Sequence, residues 1–520
     1  MTTPLRPALG SFARQLRPFG FGAILLACTG LATATESAPA TATFSLRDAL
    51  AATLEQSPAL RVQKSVIEQK SGALEQAEGM FDWTATGAAS YTRDRTPVPG
   101  PPGTEPENRS NTVAYTAGVD RLFRSGVLVR PSATVAVEDA VSPAGPTYGV
   151  SQLNLQIIVP LLRGLGRDST GAYEAAARGD VEVARLLYQH ALTAQAFNTV
   201  FNYWASRSAD ETLNVQRDVE RAAEQLVEST KVLVRSGVFP PAYLLQAEAN
   251  LREKRTVRIN AELDAHDARF SLGQSIGLPP DAIAATPAPA DHFPPLETAI
   301  APFDDETRTA LIVRALQNRA DYLASQQSLV PLGILARQAE LDLKPEVNLV
   351  AGAGYKGLNA GGSALSPLHE RLTGLNAEIG VSFAWPFRNS YQRGLLRERR
   401  ADQALAEAEV VQLSQHVARE VLLALEELRL RADTVRSAQE TVQIAERAVA
   451  AQYDQVKAGE GTILDLINLE NLYSSSRIRY ISTHASYAIA IARLRYALGQ
   501  VFENAGETLT LADLTAVPAL

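Results

Sequence analysis

The 520-residue chain has a single cysteine, Cys28, so no internal disulfide can brace it. Aromatic residues are only 6% of the whole, while Ala, Leu, Arg, Glu and Gln dominate long stretches. That balance favours extended helices over several compact cores. The six histidines are scattered, with no HExxH and no paired ligand spacing, which excludes the common zinc sites. No phosphate-cradling GxxxxGK[ST] loop occurs, and Gly164-Leu-Gly166 lacks the third glycine of a dinucleotide fingerprint. No catalytic residue, metal or cofactor is therefore expected, and the chain does not read as an enzyme. Beyond the N-terminus no apolar run reaches the roughly 18 residues that a membrane-spanning helix needs. If the chain crosses a bilayer, it must do so as a β-barrel. The net charge of −8 argues against nucleic acid as a partner.

What is present begins with a targeting segment. Arg6, Arg14 and Arg17 form a positive region, and Phe19 to Ala27 is a short apolar core. The chain is thus expected to be exported. Leu25-Leu26-Ala27-Cys28 resembles a bacterial lipoprotein processing box, which implies cleavage after residue 27 and lipid on Cys28. Cleavage after Ala34 as an ordinary leader is the alternative. Residues 28–43 then form a flexible tether.

The strongest pattern is a repeat. Arg235-Ser-Gly237-Val-Phe-Pro-Pro-Ala-Tyr243-Leu244-Leu-Gln246-Ala-Glu248 returns 222 residues later as Lys457-Ala-Gly459-Glu-Gly-Thr-Ile-Leu-Asp465-Leu466-Ile-Asn468-Leu-Glu470. The same offset carries Ile276-Gly277 onto Leu498-Gly499. A supersecondary unit has been duplicated. Its copies span 44–280 and 306–500, joined by a Pro-rich linker at 281–305 and followed by a tail at 501–520.

Each copy opens with an apolar helical stripe, over 44–80 and from Leu311 to Leu343, with Ser45 as a cap for the first. Strand-like text follows: Trp83 to Tyr91 and 150–159 in the first copy, Val347 to Tyr355 and 375–385 in the second. Small residues alternating with apolar ones, and a terminal Tyr, suit a barrel wall. The first copy adds two strand-like runs, Tyr115 to Phe123 and Val127 to Val137, turning at Arg124-Ser-Gly126. They either lengthen a surface hairpin or add wall strands. Proline is then absent from Thr170 to Arg235 and from Tyr391 to Lys457. About 65 residues of helix make a rod of about 100 Å. Val435, Ala438, Val442, Ala445, Val449, Tyr453 and Val456 follow a coiled-coil spacing, and Leu466, Tyr473, Tyr480, Tyr487 and Leu494 recur every seven residues.

Helix, strand pair, very long helix, glycine turn and helix, all repeated, resemble the TolC family of outer-membrane efflux channels. The likeness covers about 44–500, and its sharpest part is Ala458-Gly459-Glu-Gly-Thr-Ile463-Leu-Asp465-Leu466-Ile-Asn468. The resemblance implies a mainly α chain with a membrane β-barrel, three copies sharing one barrel and one coiled-coil tunnel across the periplasm. It also implies that a periplasmic adaptor and an inner-membrane efflux or secretion transporter dock at the tip. Asp465 matches an aspartate that rings the family's closed tip. The family's second aspartate is Asn468 here, and its tip arginine, due near Gly461, is absent. Gly237 and Gly459 match the tip turns where an adaptor packs.

Expected, then, is an outer-membrane subunit exporting small molecules or proteins. A non-conducting coiled-coil spacer of the envelope is the competing reading. Glu248 and Glu470 are expected on solvated helical faces.

Overall fold

The computed structural model describes residues 44–101, 103, 107–142, 144–296, 303–360, 374–458, 460–505, 508–511 and 514–518. The leader, the tether with Cys28, and Gly459 lie outside the described residues.

The first copy opens with two helices rather than one. Helix α1 spans Leu46–Gln56 and α2 spans Pro58–Gly79. Ser45 caps α1 in a reciprocal box with Asp48, as its sequence suggests. Pro58 lacks the N–H that would continue the ladder, so the chain restarts there. Four strands follow: β1 (Thr84–Pro97), β2 (Glu107–Leu122), β3 (Leu128–Ser142) and β4 (Ala144–Pro160). A one-turn helix, α3 (Arg167–Thr170), leads into the rod α4 (Ala172–Arg235) and its return helix α5 (Pro241–Ile276).

The second copy reads α6 (Asp305–Asn318), α7 (Ala320–Leu341), β5 (Glu346–Ala360), β6 (Gly374–Ala384), α8 (Ser390–Lys457) and α9 (Ile463–Ala497). A short hairpin, β7 (Phe502–Ala505) and β8 (Thr508–Leu511), follows. Its opening helix is likewise split, here at Arg319, without any proline. The reason is tertiary. A glycine at positive φ ends each return helix and presses on the split of its own copy. A Cβ on Gly277 would sit 2.8 Å from the Gln56 carbonyl oxygen and Ser57 Cα, and one on Gly499 3.0 Å from the Asn318 carbonyl carbon. The left-handed conformation already favours glycine, and the close backbone removes room for any side chain.

All six long strands form one antiparallel sheet in chain order. The join between copies is the β4–β5 pair, running from Tyr148 opposite Ala360 to Pro160 opposite Asn348. Directly paired residues share a face. One face carries Tyr91, Val113, Tyr115, Val135, Leu153, Leu155, Tyr355, Ile379 and Phe383. The other carries Thr116, Thr134, Gln152, Asn154, Asn376 and Glu378. On the apolar face Ile379 is 80% and Phe383 66% exposed in the single chain. An apolar face left in water would be anomalous; facing lipid it is expected. At the helical end Arg121 lies between the rings of Trp83 and Phe123, 4.9 Å from each centroid. Such aromatic–cationic groups suit a membrane interface.

Beneath the sheet four helices run abreast. Near it the neighbours are α2–α4, α4–α7 and α7–α8; farther away they are α5–α4, α4–α9 and α9–α8. Helix α9 binds the copies together. Tyr487, Ala490, Ile491 and Leu494 pack on α6 and α8, while Ala488 and Ala492 pack on α1, α4 and α5. The seam positions Val435, Ala438, Ala445, Val456 and Leu466 are buried as their spacing implies, whereas Tyr453 stays half exposed. Among the described residues no helix is long and apolar enough to cross a membrane.

Candidate functional site

In a molecule built as a wall on a rod, the chemistry of interest lies at the rod's far end and along the wall. The far end has two turns. In the first copy α4 stops at Arg235, Gly237 takes φ +77°, and α5 restarts at Pro241. A Cβ on Gly237 would meet nothing within 4 Å, so only its backbone, and not packing, asks for glycine. Phe239 and Tyr243 close the turn edge to face, 5.3 Å between centroids.

In the second copy Thr462 caps α9. Its hydroxyl accepts the Asp465 N–H at 3.1 Å and donates to the Asp465 carboxylate at 2.6 Å. Asp465 is thus both a first-turn acid that complements the helix dipole and an exposed carboxylate. Asn468, one turn on, is exposed beside it. Leu464 and Leu472, each about half exposed, flank the pair on the same stripe. The stripe offers one negative charge, one amide and two apolar side chains to whatever faces it. The first copy presents no charge at the matching positions, which hold Tyr243 and Gln246. Its Leu245 is 68% exposed there.

The two repeated glutamates differ. Glu248 is exposed, as expected of a solvated face. Glu470 is not: burial against α5 pushes its carboxyl above the usual range, with Lys254 opposing the shift. Lys254 itself donates to Asn471. The duplicated position thus turns inward in one copy only.

Two polar clusters were not visible in the sequence. At the split of the second opening helix, Arg319 is only 5% exposed and lies between Asp321 and Glu420. Its guanidinium donates to both carboxylates. In the first copy the Tyr203 hydroxyl accepts the N–H groups of Ala290 and Asp291. Its own proton reaches either the Phe44 carbonyl or the Asp291 carboxylate. Tyr203 is fully buried, and burial raises its pKa above the ordinary phenol value. An Arg beside an Asp, or a Tyr in a seam, looks like surface text in a sequence; only the fold buries them. Among the described residues no group of His, Cys, Asp or Glu could hold a metal ion.

The comparisons with known proteins agree with this geometry. Residues 311–500 match the family model described as outer membrane efflux protein. Among curated protein sequences none matches the chain. Several solved structures share the fold. The CmeC outer membrane channel of Campylobacter jejuni superposes with a TM-score of 0.68 at 17% identity, covering 89% of this chain and 87% of that one. VceC, an outer membrane protein of Vibrio cholerae, gives 0.63 at 17% identity over 87% and 96%. The open-state MtrE outer membrane channel of Neisseria gonorrhoeae gives 0.62 at 17% identity over 87% and 88%.

Proposed function

Since the chain belongs, by its second repeat and by the fold of the whole, to the TolC family of outer-membrane efflux proteins, we propose that it is one subunit of a homotrimeric export conduit. It is an outer-membrane protein extending into the periplasm, and its relatives are channels rather than enzymes. The observation that carries the proposal is the open six-stranded sheet on a layer of four helices. Six strands with free edges leave unpaired backbone groups in lipid, and closure with further copies removes them. The rods, of 64 and 68 residues, extend roughly 100 Å. That length suits a compartment crossing.

In this reading the rods line a tunnel that carries small molecules or proteins outward. A periplasmic adaptor packs on the turns at Gly237 and Gly459, and an inner-membrane transporter supplies the energy. Asp465 and Asn468 face the axis at the tip, where three like charges close together repel and favour cations. Cys28 carries the lipid. The spacer reading is disfavoured by the sheet: a scaffold has no use for a lipid-facing wall duplicated in step with its rods.

Purified exported chain in mild detergent is expected to run as a stable trimer and to conduct ions in a planar bilayer. A monodisperse monomer with a folded sheet would overturn the proposal. Mass spectrometry of the mature N-terminus tests Cys28, and a chain beginning at Thr35 would exclude its lipidation.

A further inference from the structure

The extra hairpin of the first copy has a defined place. Opening helices of the two copies correspond at an offset of 262 (Pro58 with Ala320, Gly79 with Leu341), and the rods end at an offset of 222 (Arg235 with Lys457). The 40 residues between those offsets are an insertion in the first copy's strand region, which spans 84–160 against 346–384 in the second. By position β1 matches β5, since each follows an opening helix, and β4 matches β6, since each feeds a rod. The insertion is therefore β2 with β3.

Three observations place this hairpin in the membrane wall. It pairs along its whole length on both sides, β2 with β1 and β3 with β4, so that β1 and β4 never touch. It keeps the sheet's alternation: Tyr115 and Val135 lie on the apolar face, and Thr116 and Thr134 bond to each other on the polar face. Its turn is clamped to the helical end. Arg124 donates to Glu174 at the start of α4 and stacks on Phe81 beyond α2, and Gly166 donates to the Ser125 carbonyl. Gly126, at φ +90°, lies so close to Pro160 and Gly164 that a Cβ would sit 2.0 Å from the Gly164 oxygen. A hairpin projecting from the outer surface would have its turn at the opposite end.

Resting on the trimeric reading above, we infer that the assembled barrel has eighteen strands, where two per repeat would have made twelve. Its free edges suit a second copy of this chain. β1 leaves the helical end and β6 returns to it, so β6 of one copy meets β1 of the next antiparallel, and the apolar face continues around the ring. The circumferences agree as well. Twelve helices about 9 Å apart form a ring about 110 Å around. Strands about 4.8 Å apart, tilted about 40°, take up about 6.3 Å each, so eighteen span about 110 Å and twelve only about 75 Å. The barrel is therefore as wide as the tunnel beneath it, about half again the width of a twelve-stranded one. It does not narrow the path of a bulky or hydrated cargo. Selection falls to the tip.

Electron microscopy of the full chain in lipid nanodiscs tests this directly. A threefold particle with eighteen wall strands is expected. A threefold particle with twelve, and β2–β3 standing off the wall, overturns the inference and leaves the trimeric conduit intact. A particle without threefold symmetry overturns both. Labelling provides a second route in liposomes, with wild type as background. A water-soluble maleimide should label Thr134→Cys at least about tenfold faster than Val135→Cys, because the second thiol faces lipid and cannot ionise or meet the reagent there. Equal rates would mean that the hairpin stands in water, contrary to the inference.

Discussion

The two copies of this chain share the glycine lock and differ in almost everything charged or membrane-facing. Gly277 on Gln56 and Ser57 has its counterpart in Gly499 on Asn318 and Arg319. Rod, return helix and split opening helix recur with it. The first copy, however, contributes four strands and a tip without charge at the positions matching Asp465 and Asn468, while the second contributes two strands, a buried arginine cluster and Asp465. The lesson is physical. Helices packed abreast must keep the spacing of their neighbours, so the duplicated joints stay alike. An antiparallel sheet accepts a whole hairpin wherever register is kept, because strand count adds in pairs.

The largest effect that could break this comparison is at the split helices. Arg319→Met should cost about 3–5 kcal/mol, because Asp321 and Glu420 would be left near each other without their cation. Ser57→Ala, at the matching joint, should cost about 1 kcal/mol or less. Chemical denaturation of the two variants checks this, and equal losses would mean that the arginine cluster is not a feature peculiar to the second copy.

Next come the glycines. Gly277→Val and Gly499→Val each force a β-branched residue to positive φ against a backbone, at about 1–3 kcal/mol or more apiece. Similar losses in thermal stability are expected. Tolerance of one alone would show that the two locks are not equivalent.

A smaller effect is local to the first copy. Hydrogen bonds from Arg124 hold the Glu174 carboxyl below the usual carboxylate range, against the opposing effect of burial. A depressed carboxylate stabilises fully above the unfolded value of about 4.3 and loses that contribution as pH falls through its lower folded value. Protection of the 123–126 backbone amides from hydrogen exchange, corrected for the intrinsic pH dependence of exchange, should therefore fall away only below about pH 4. Glu174→Gln should be less protected already at neutral pH and should show no such acid step. The second copy, which has no such turn, should be indifferent.

The smallest change in stability carries the sharpest functional contrast. Asp465→Asn keeps an acceptor for the Thr462 hydroxyl, so stability should stay within about 0.5 kcal/mol. Cation preference in planar bilayers should fall. Gln246→Asp should raise it if the first copy's tip also faces the axis. Unchanged selectivity in Asp465→Asn and Asp465→Lys would leave Asp465 as a helix-start acid only.

Much of this architecture is local and could be read from residues. The rods are legible because proline is absent and small apolar positions recur, and the α9 register is legible because its tyrosines repeat every seven residues. Ser45 with Asp48 announces a helix start, and Pro58 the first split, although the stripe over 44–80 reads as one helix. The second split at Arg319 has no such mark, since it follows from Gly499 pressing on it across the fold. Asp465 is legible as a residue of the tip turn, and the structure makes it the first-turn acid behind the Thr462 cap; the axis it is proposed to face belongs to an assembly, beyond any one chain.

Composition, period and breakers by themselves determined the duplication, the rods, the strands and, among the described residues, the absence of a spanning helix, since each depends on residues near in sequence. Only the tertiary structure decided that β2 and β3 join the sheet and that Glu470 turns inward while Glu248 does not. It also decided that Arg319 is buried between two carboxylates. Strand text is the same in a wall as in a surface hairpin, and a charged residue reads the same buried or solvated. Pairing and burial arise from partners 50 to more than 200 residues away in the chain, such as Glu174 for Arg124 and Lys254 for Glu470, and no local pattern encodes them.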